Sequence, residues 1–170
     1  MRKPSDALLL DRVATPIGEL LLVADAPGTL LMLEFADKPE RWRPSFASCF
    51  GDLVGTRDPS GLSSALARYF DGDLDALDGI ETDAAGTAFQ HSVWTALRKI
   101  PAGTTTTYGS LAKALGKPAA TRAVGLANGA NPIAIVVPCH RVIGSKGSLT
   151  GYGGGLERKS WLLDHERKHS

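Results

Sequence analysis

The sequence has few of the residues that form metal sites and disulfide frameworks. Its 170 residues include two cysteines and four histidines, and Cys49 and Cys139 stand far apart. A single pair of cysteines permits one disulfide at most, so a reduced, cytoplasmic setting is expected. CxxC does not occur, and tetrahedral zinc normally uses four ligands at recognisable spacing. We therefore predict neither a metal nor another cofactor.

Long apolar runs are also absent from the sequence. None approaches the roughly 20 residues that cross a bilayer as a helix. The run from Leu8 to Leu10 is interrupted by Asp11 and is too short for a signal peptide. The hydrophobic share of 43% and the charged share of 22% are ordinary for globular proteins. We predict a soluble globular protein that buries a substantial core and has no membrane partner.

The net charge of +1 hides an uneven distribution of sign. Residues 1 to 84 hold 8 basic and 15 acidic side chains, a net charge of −7, whereas residues 85 to 170 hold 11 and 3, a net charge of +8. A basic half favours binding of a polyanion, because neutralised phosphates are the main sequence-independent source of nucleic-acid affinity. Ordinary solvated charge would give the same count without any such partner. The sequence thus indicates two domains, 1 to 84 and 85 to 170.

The N-terminal half has the pattern of a small α+β scaffold. From residue 8 to residue 35, short apolar runs alternate with the turn sequences PIG and APG, which predicts a β meander. Residues 38 to 61 contain several Pro and Gly and predict irregular structure. Apolar residues at helical spacing then predict a helix over residues 62 to 70. No catalytic cluster is evident in this half.

The C-terminal half opens with a helix and continues with a helix-turn-helix pattern. Thr87 and Gln90 fit a capping box, and an apolar stripe follows as far as Ile100. Two short helical patterns come next, over residues 108 to 115 and 119 to 128, separated by Gly-Lys-Pro. In a helix-turn-helix the second helix approaches DNA. A generic pair of antiparallel helices fits the spacing equally well.

The composition of the second of these helices favours DNA binding. Arg122 is its long cation, and Gly125 follows three positions later among small residues such as Ala123. Such a surface lets a DNA backbone approach closely while one cation projects from the helix.

A cysteine, a histidine and an arginine stand together just after the apolar run Ile133 to Val137, for which we predict a buried strand. Cys139 could be a small hydrophobe, but a nucleophilic thiol needs a cation, a helix N-terminus or a base nearby. His140 could be that base through a relaying water, because adjacent residues of an extended chain point to opposite sides. The carboxylate that orients the imidazole is expected in the last helix, where the candidates are Glu157, Asp164 and Glu166.

The motifs RAVGLANGANP, PCHRV and GYGGGLERK resemble those of the methylated-DNA-protein-cysteine methyltransferases, the O6-alkylguanine-DNA alkyltransferase family. The resemblance runs continuously from Gly86 to Glu166, while the N-terminal half is similar only in its segment DRVATPIGEL. It implies an α+β protein, in which a small ribonuclease-H-like domain of β-sheet and helix precedes a helical winged-helix domain with a helix-turn-helix. A monomer in solution is expected.

The resemblance implies direct-reversal repair of double-stranded alkylated DNA, bound without sequence preference. Cys139 would take the alkyl group from O6-alkylguanine, with O4-alkylthymine as a further candidate substrate. Because water does not easily displace the sulfur of a thioether, each molecule would act once. The family flips the damaged base out of a duplex that it approaches through the minor groove. His140 and Glu166 would relay the thiol proton through a water, and Tyr108 would hydrogen-bond N3 of the departing guanine.

Further site residues follow from the same resemblance. Arg122 would be the finger that fills the space left by the flipped base, on the helix that also carries Ala123 and Gly125. Asn131 would brace the turn that leads from this helix to the active site, and Arg141 would hold the fold rather than contact substrate. The residues expected to line the base pocket are Val142, Tyr152 and Gly153.

The chain departs from family patterns at two places. The N-terminal half offers only Cys49 as a zinc ligand of the kind that some family members use, so no metal is carried over. Gly153 stands where some relatives have serine, and we therefore expect bulkier alkyl groups to be tolerated.

Three further functions share parts of this pattern. A non-catalytic sensor of alkylated DNA would lack the reactive cysteine, which is present here as Cys139. A winged-helix transcription regulator would need only the helix-turn-helix. A cysteine hydrolase would require turnover at the thiol.

Overall fold

The computed structural model describes residues 6 to 170 and has a mixed α+β architecture. The chain divides into two compact units, one ending at Ala85 and one running from Gly86 to Ser170. We call them the N-terminal unit and the C-terminal unit. Within the described residues, none of the helices is both long and apolar enough to cross a membrane.

The N-terminal unit is built on a four-stranded sheet. Strands β1 (Leu8–Val13), β2 (Leu20–Ala24) and β3 (Leu30–Phe35) pair antiparallel in sequence order, which confirms the predicted meander. A short strand, β4 (Leu53–Gly55), adds parallel to β1 and gives the order β3-β2-β1-β4. Every residue of β2 and β3 is buried, because both faces of these strands are covered.

Helix α1 (Pro39–Ser48) lies in the stretch 38 to 61, for which the prediction of irregular structure is wrong. Proline is well tolerated at the first helical position, although Pro44 removes a backbone donor inside the helix. The helix has no fully buried residue, so its amphipathic pattern is weak. Trp42 and Phe46 nevertheless pack against an apolar cluster, and this packing outweighs the low helix propensity. The buried members of that cluster are Leu8, Leu21, Val23, Leu31 and Met32.

The predicted helix of the N-terminal unit is confirmed as α2 (Leu62–Phe70), which buries Leu62, Leu66 and Tyr69. Its apolar residues fall at helical spacing, so one stripe faces the core while the other face meets solvent.

The C-terminal unit is mainly helical, with two very short parallel strands. The strands are β5 (Thr106–Thr107) and β6 (Val142–Ile143). The helices are α3 (Ala88–Leu97), α4 (Tyr108–Ala114), α5 (Thr121–Gly129) and α6 (Leu156–His169).

The start of α3 is the predicted capping box. Thr87 Oγ1 accepts a hydrogen bond from the Gln90 backbone N–H at 3.1 Å, and Gln90 Oε1 accepts one from the Thr87 N–H at 2.9 Å. These bonds satisfy two donors that would otherwise lack partners at the helix end. From the same helix, Trp94 Nε1 donates to the Ala127 carbonyl at 2.9 Å and ties α3 to α5.

Helices α4 and α5 form the predicted helix-turn-helix pattern. Gly116 has a φ of +71°, the left-handed conformation that favours glycine just after a helix. Its N–H donates to the Lys113 carbonyl, and the Lys117 N–H reaches back to Ala112, which completes a Schellman motif. A short 3-10 turn, Pro118–Ala120, then leads into α5.

The segment before Cys139 is not the strand predicted over Ile133 to Val137, so that prediction is wrong. The segment is a series of tight turns, in which the Val136 N–H bonds the Ala134 carbonyl at 2.8 Å around Ile135, whose φ is +71°. A positive φ is rare for a β-branched residue and marks local strain. The apolar run is buried as expected, but burial alone does not distinguish a strand from a buried turn.

Candidate active site

Cys139, His140 and Arg141 occupy one turn of 3-10 helix that follows Pro138. The Cys139 N–H donates to the Val137 carbonyl at 2.8 Å, and the Arg141 N–H donates to Pro138 at 3.0 Å. All three residues are buried, with exposed fractions of 6%, 0% and 9% in chain order. The turn therefore replaces the extended geometry expected for Cys139 and His140.

His140 bonds one of the three candidate carboxylates. Its Nε2 lies 2.7 Å from Oε1 of Glu166 on α6, and both side chains are completely buried. Glu157 and Asp164 are exposed on the same helix. The structure therefore places Glu166 as the partner of the imidazole.

Arg141 holds the same carboxylate from a second side. Its Nε donates to Glu166 Oε2 at 2.9 Å and its Nη2 donates to Oε1 at 2.8 Å, a bidentate pairing. Its Nη1 donates to the Ile100 carbonyl at 2.7 Å. These bonds agree with the expectation that Arg141 holds the fold.

The electrostatics of this cluster favour a neutral imidazole beside an ionised carboxylate. Burial lowers the pKa of His140, although the hydrogen bond and charge of Glu166 oppose that shift. Burial would raise the pKa of Glu166, but the hydrogen bonds from His140 and Arg141 and the charge of Arg141 outweigh it and hold that pKa far below its usual value. With Nε2 donating to Glu166, the other ring nitrogen of His140 is an acceptor. That buried Nδ1 has no hydrogen-bond partner among the described residues.

Two buried asparagines hold the backbone around Cys139. Asn131 Nδ2 donates to the carbonyls of Val137 at 2.8 Å and Ile133 at 3.2 Å, and its Oδ1 accepts from the Ile133 N–H at 3.0 Å. Asn128, on α5, places Nδ2 3.4 Å from the Cys139 carbonyl, while its Oδ1 is buried without a hydrogen bond from the residues that the structure describes. Asn131 was predicted from the sequence, whereas Asn128 was not. The sequence signal for Asn128 was its position: it lies on the face of α5 that the spacing of the apolar residues predicts to be buried.

A completely buried lysine, Lys159, is the second residue that was not predicted from the sequence. Its Nζ donates to the carbonyls of Val142 at 2.6 Å, Thr150 at 2.8 Å and Gly151 at 3.4 Å. Burial lowers the pKa of Lys159, whereas the charge of a Cys139 thiolate would raise it. The sequence signal for Lys159 was its position on α6. It lies one turn before two buried leucines and seven residues before Glu166, on the face that those residues predict to be buried.

Two of the residues predicted to contact the base, Tyr108 and Val142, are linked through Thr150 and Lys159. The Tyr108 hydroxyl, at the start of α4, accepts a hydrogen bond from Thr150 Oγ1 at 3.2 Å, and Lys159 binds the carbonyl of the same threonine. Val142 is buried at the start of β6. The loop between β6 and α6 carries the half-buried Tyr152 and Gly153.

The residues predicted to approach DNA lie on α5. Arg122 and Ala123 are exposed, whereas Gly125 is half-buried. A Cβ built on Gly125 would lie 3.7 Å from the ring of Tyr108, an ordinary contact, so the protein itself leaves room for a small side chain there. Arg122 therefore projects from the exposed face of the helix, while Gly125 faces the tyrosine predicted to bind the base.

Metal ligands are not clustered in the described part of the chain. From residue 6 to residue 170, no group of three or more His, Cys, Asp or Glu side chains is placed to hold a metal ion. Neither cysteine forms a disulfide: Cys49 is exposed in the N-terminal unit, and Cys139 is buried in the C-terminal unit.

Known proteins are similar to this chain along nearly its whole length. The family described as "6-O-methylguanine DNA methyltransferase, DNA binding domain" matches residues 88–168. A methylated-DNA-protein-cysteine methyltransferase of Salmonella typhimurium is 50% identical over 163 residues, which cover 94% of this chain and 95% of that protein.

Solved structures agree with this similarity. The crystal structure of a Mycobacterium tuberculosis O6-methylguanine methyltransferase has a TM-score of 0.81 at 43% identity and covers 96% of this chain and 94% of its own. A further structure from that organism, in complex with DNA, has a TM-score of 0.80 at 43% identity and covers 95% and 94% of the two chains. The chain belongs to the methylated-DNA-protein-cysteine methyltransferase family.

Proposed function

We propose that this protein repairs double-stranded DNA by moving the alkyl group of O6-alkylguanine irreversibly to Cys139. The observation that carries the proposal is the buried thiol that shares one turn with the imidazole of the His140–Glu166 pair. Such a pair activates a thiol, because a neutral imidazole held by a carboxylate can accept the thiol proton. The family to which the chain belongs supports this chemistry.

The thiol proton would pass through one water to Nδ1 of His140, the nitrogen that has no other partner among the described residues. The thiolate then attacks the alkyl carbon, the sulfur–carbon bond forms, and the carbon–oxygen bond to O6 breaks. The electron pair of the broken bond stays on the guanine. Glu166 remains ionised and stabilises the imidazolium that results.

Tyr108 would stabilise the departing base, because its hydroxyl would donate a hydrogen bond to guanine N3. Val142, Tyr152 and Gly153 would line the pocket around the base, and Asn131 would brace the turn that carries the thiol. We propose that the small Gly153 lets this pocket accept bulkier alkyl groups. Repair of O6-benzylguanine much slower than repair of O6-methylguanine would contradict that expectation.

DNA would be bound through the minor groove by α5, with Ala123 and Gly125 allowing close approach. Arg122 would enter the duplex where the damaged base has flipped out, because a protein thiol does not reach O6 inside the base stack. The excess of basic residues in the C-terminal half supports this assignment. O4-alkylthymine is proposed as a second substrate of the same pocket.

The finer architecture also belongs to this proposal. We assign the N-terminal unit, close to residues 1 to 84, as a ribonuclease-H-like scaffold and the C-terminal unit, close to residues 85 to 170, as a winged-helix alkyl-acceptor domain. A monomer suits a single-use reagent, and the cytoplasm of a bacterium such as those of the relatives above would hold its DNA substrate.

The decisive experiment is mass analysis after incubation with a duplex that contains O6-methylguanine. A gain of about 14 Da on the peptide containing Cys139, one per molecule, is expected because the thioether is stable to water. The Cys139→Ser variant should bind the duplex without being modified. Tight binding by the wild-type protein with Cys139 unmodified would instead indicate a sensor of alkylated DNA and overturn the proposal.

A further inference from the structure

Helix α5 exposes a large apolar side chain beside its arginine. Leu126 has an exposed fraction of 72%, the highest of the large apolar residues in the described part of the chain. The next most exposed are Val54 and Leu156, each at 48%. No residue of the unit shields Leu126 to any great extent, so its burial by a binding partner would gain free energy.

Leu126 shares the face of α5 from which Arg122 projects. The two residues are four positions apart, which places them on one side of the helix and about 6 Å apart along its axis. The other exposed residues around them are small: Ala123, Gly129 and Ala130. A binding partner that approaches this face therefore contacts one cation and one branched apolar side chain, surrounded by small residues.

We propose that Leu126 packs against the deoxyribose edges of the minor groove, next to the position that Arg122 enters. This inference rests on the function proposed above for α5. The partner is DNA because the C-terminal half carries an excess of basic residues and because a relative that is 43% identical was crystallised with DNA. The C–H groups of sugars offer an apolar surface in that groove, and leucine is among the apolar side chains that minor-groove proteins use.

An apolar contact has a signature that a phosphate contact lacks. A cation on a phosphate releases counterions, so its removal reduces the dependence of affinity on salt. Leu126 releases none, so its removal should weaken binding equally at every salt concentration. Partial burial of one leucine corresponds to roughly a three- to tenfold change in affinity.

The test compares the wild-type protein, Leu126→Ala and Leu156→Ala on an unmodified DNA duplex over a series of salt concentrations. We expect Leu126→Ala to bind about three- to tenfold more weakly, with the slope of log affinity against log salt unchanged. Leu156→Ala, the matched control from the other exposed leucine of the unit, should bind like the wild type. Unchanged affinity in Leu126→Ala, an altered salt slope, or an equal loss in Leu156→Ala would overturn the proposal.

Two measurements separate this inference from the proposed function. Alanine is at least as good a helix former as leucine, so Leu126→Ala should show a native circular dichroism spectrum and react with free O6-benzylguanine base at the wild-type rate. A wild-type protein that takes no methyl group from O6-methylguanine DNA would refute the proposed function, whatever Leu126 does. Normal methyl transfer with no binding defect in Leu126→Ala would refute only the role of Leu126.

Discussion

Arg141 and Glu166 are joined by two hydrogen bonds, one to each carboxylate oxygen, at 2.9 and 2.8 Å. Oε1 accepts from Arg141 and His140 together, so the carboxylate is fixed in position before any substrate arrives. The arginine thus fixes the carboxylate that fixes the imidazole. A single turn of backbone supplies these two partners of Glu166, because His140 and Arg141 are adjacent.

Glu166→Gln should slow methyl transfer by at least about tenfold, because the imidazolium loses its ionised partner. The change also leaves the Arg141 guanidinium without its counter-charge, which should cost about 3 to 5 kcal/mol of unfolding free energy. The measurement is the second-order rate of transfer from O6-methylguanine DNA, together with urea unfolding. Glu157→Gln and Asp164→Asn change exposed carboxylates of the same helix and should match the wild type in both. A Glu166→Gln rate within twofold of wild type would exclude the carboxylate from the proton relay.

The buried imidazole should make stability depend on pH between about 5 and 7. The folded pKa of His140 lies below the ordinary 6.5 because of burial. At pH 5.5 the unfolded chain therefore takes up a proton there that the folded chain resists, and the free energy of unfolding falls as the pH falls. The depressed pKa of Glu166 acts in the same direction once the pH falls below its ordinary 4.5.

Urea unfolding of the wild type and His140→Asn at pH 7.5, 6.5 and 5.5 checks this dependence on His140. The asparagine can still donate toward Glu166 but does not titrate in this range. The variant should lose less stability than the wild type between pH 7.5 and pH 5.5. Equal losses in the two proteins would place the titrating group elsewhere.

Lys159→Met should disorder the pocket and reduce the reactivity of Cys139. The methionine fills similar space but leaves the carbonyls of Val142 and Thr150 without their buried donor. It also removes a positive charge that favours the thiolate, so the apparent pKa of the thiol should rise. The measurement is the pH profile of Cys139 alkylation by iodoacetamide, with hydrogen exchange across residues 144 to 155. Lys168→Met, at an exposed site on the same helix, is the control, and a wild-type pH profile in Lys159→Met would rule out the electrostatic effect.

Local patterns in the sequence predicted the features whose causes are local. The capping box at Thr87 and the two helices around Gly116 each depend on residues within a few positions of one another. Glu166 was one of three carboxylates until the fold brought it to His140 across 26 positions. Spacing along the helix alone does not identify which carboxylate meets a distant turn, although the family resemblance did.

The predictions that were wrong or missing share one physical cause, which is that tertiary packing decides the structure at those residues. The run from 133 to 137 is as apolar as a strand, but Asn131 supplies hydrogen bonds that hold it in turns instead. Helix α1 is stabilised by the contact of Trp42 with the sheet rather than by its own propensity. A buried Lys159 is improbable from composition alone, because lysine is almost never fully buried unless its charge is paired or its donors are satisfied.

Asn128→Leu should leave the protein at least as stable as the wild type while slowing methyl transfer. Asn128 keeps a buried Oδ1 that makes no hydrogen bond to any residue from 6 to 170. The Cys139 carbonyl that its Nδ2 faces also accepts from the Val142 N–H, so a leucine of similar size would leave no buried group without a partner. The same change removes the amide that faces the Cys139 carbonyl. Helix α5 would then no longer hold the turn that carries Cys139. Thermal unfolding and the rate of transfer from O6-methylguanine DNA measure the two effects. Asn131→Leu is the contrast, because it abandons three hydrogen bonds and should lower stability by at least about 2 kcal/mol. A destabilised Asn128→Leu with a wild-type transfer rate would show that Asn128 supports the core and not the position of the thiol.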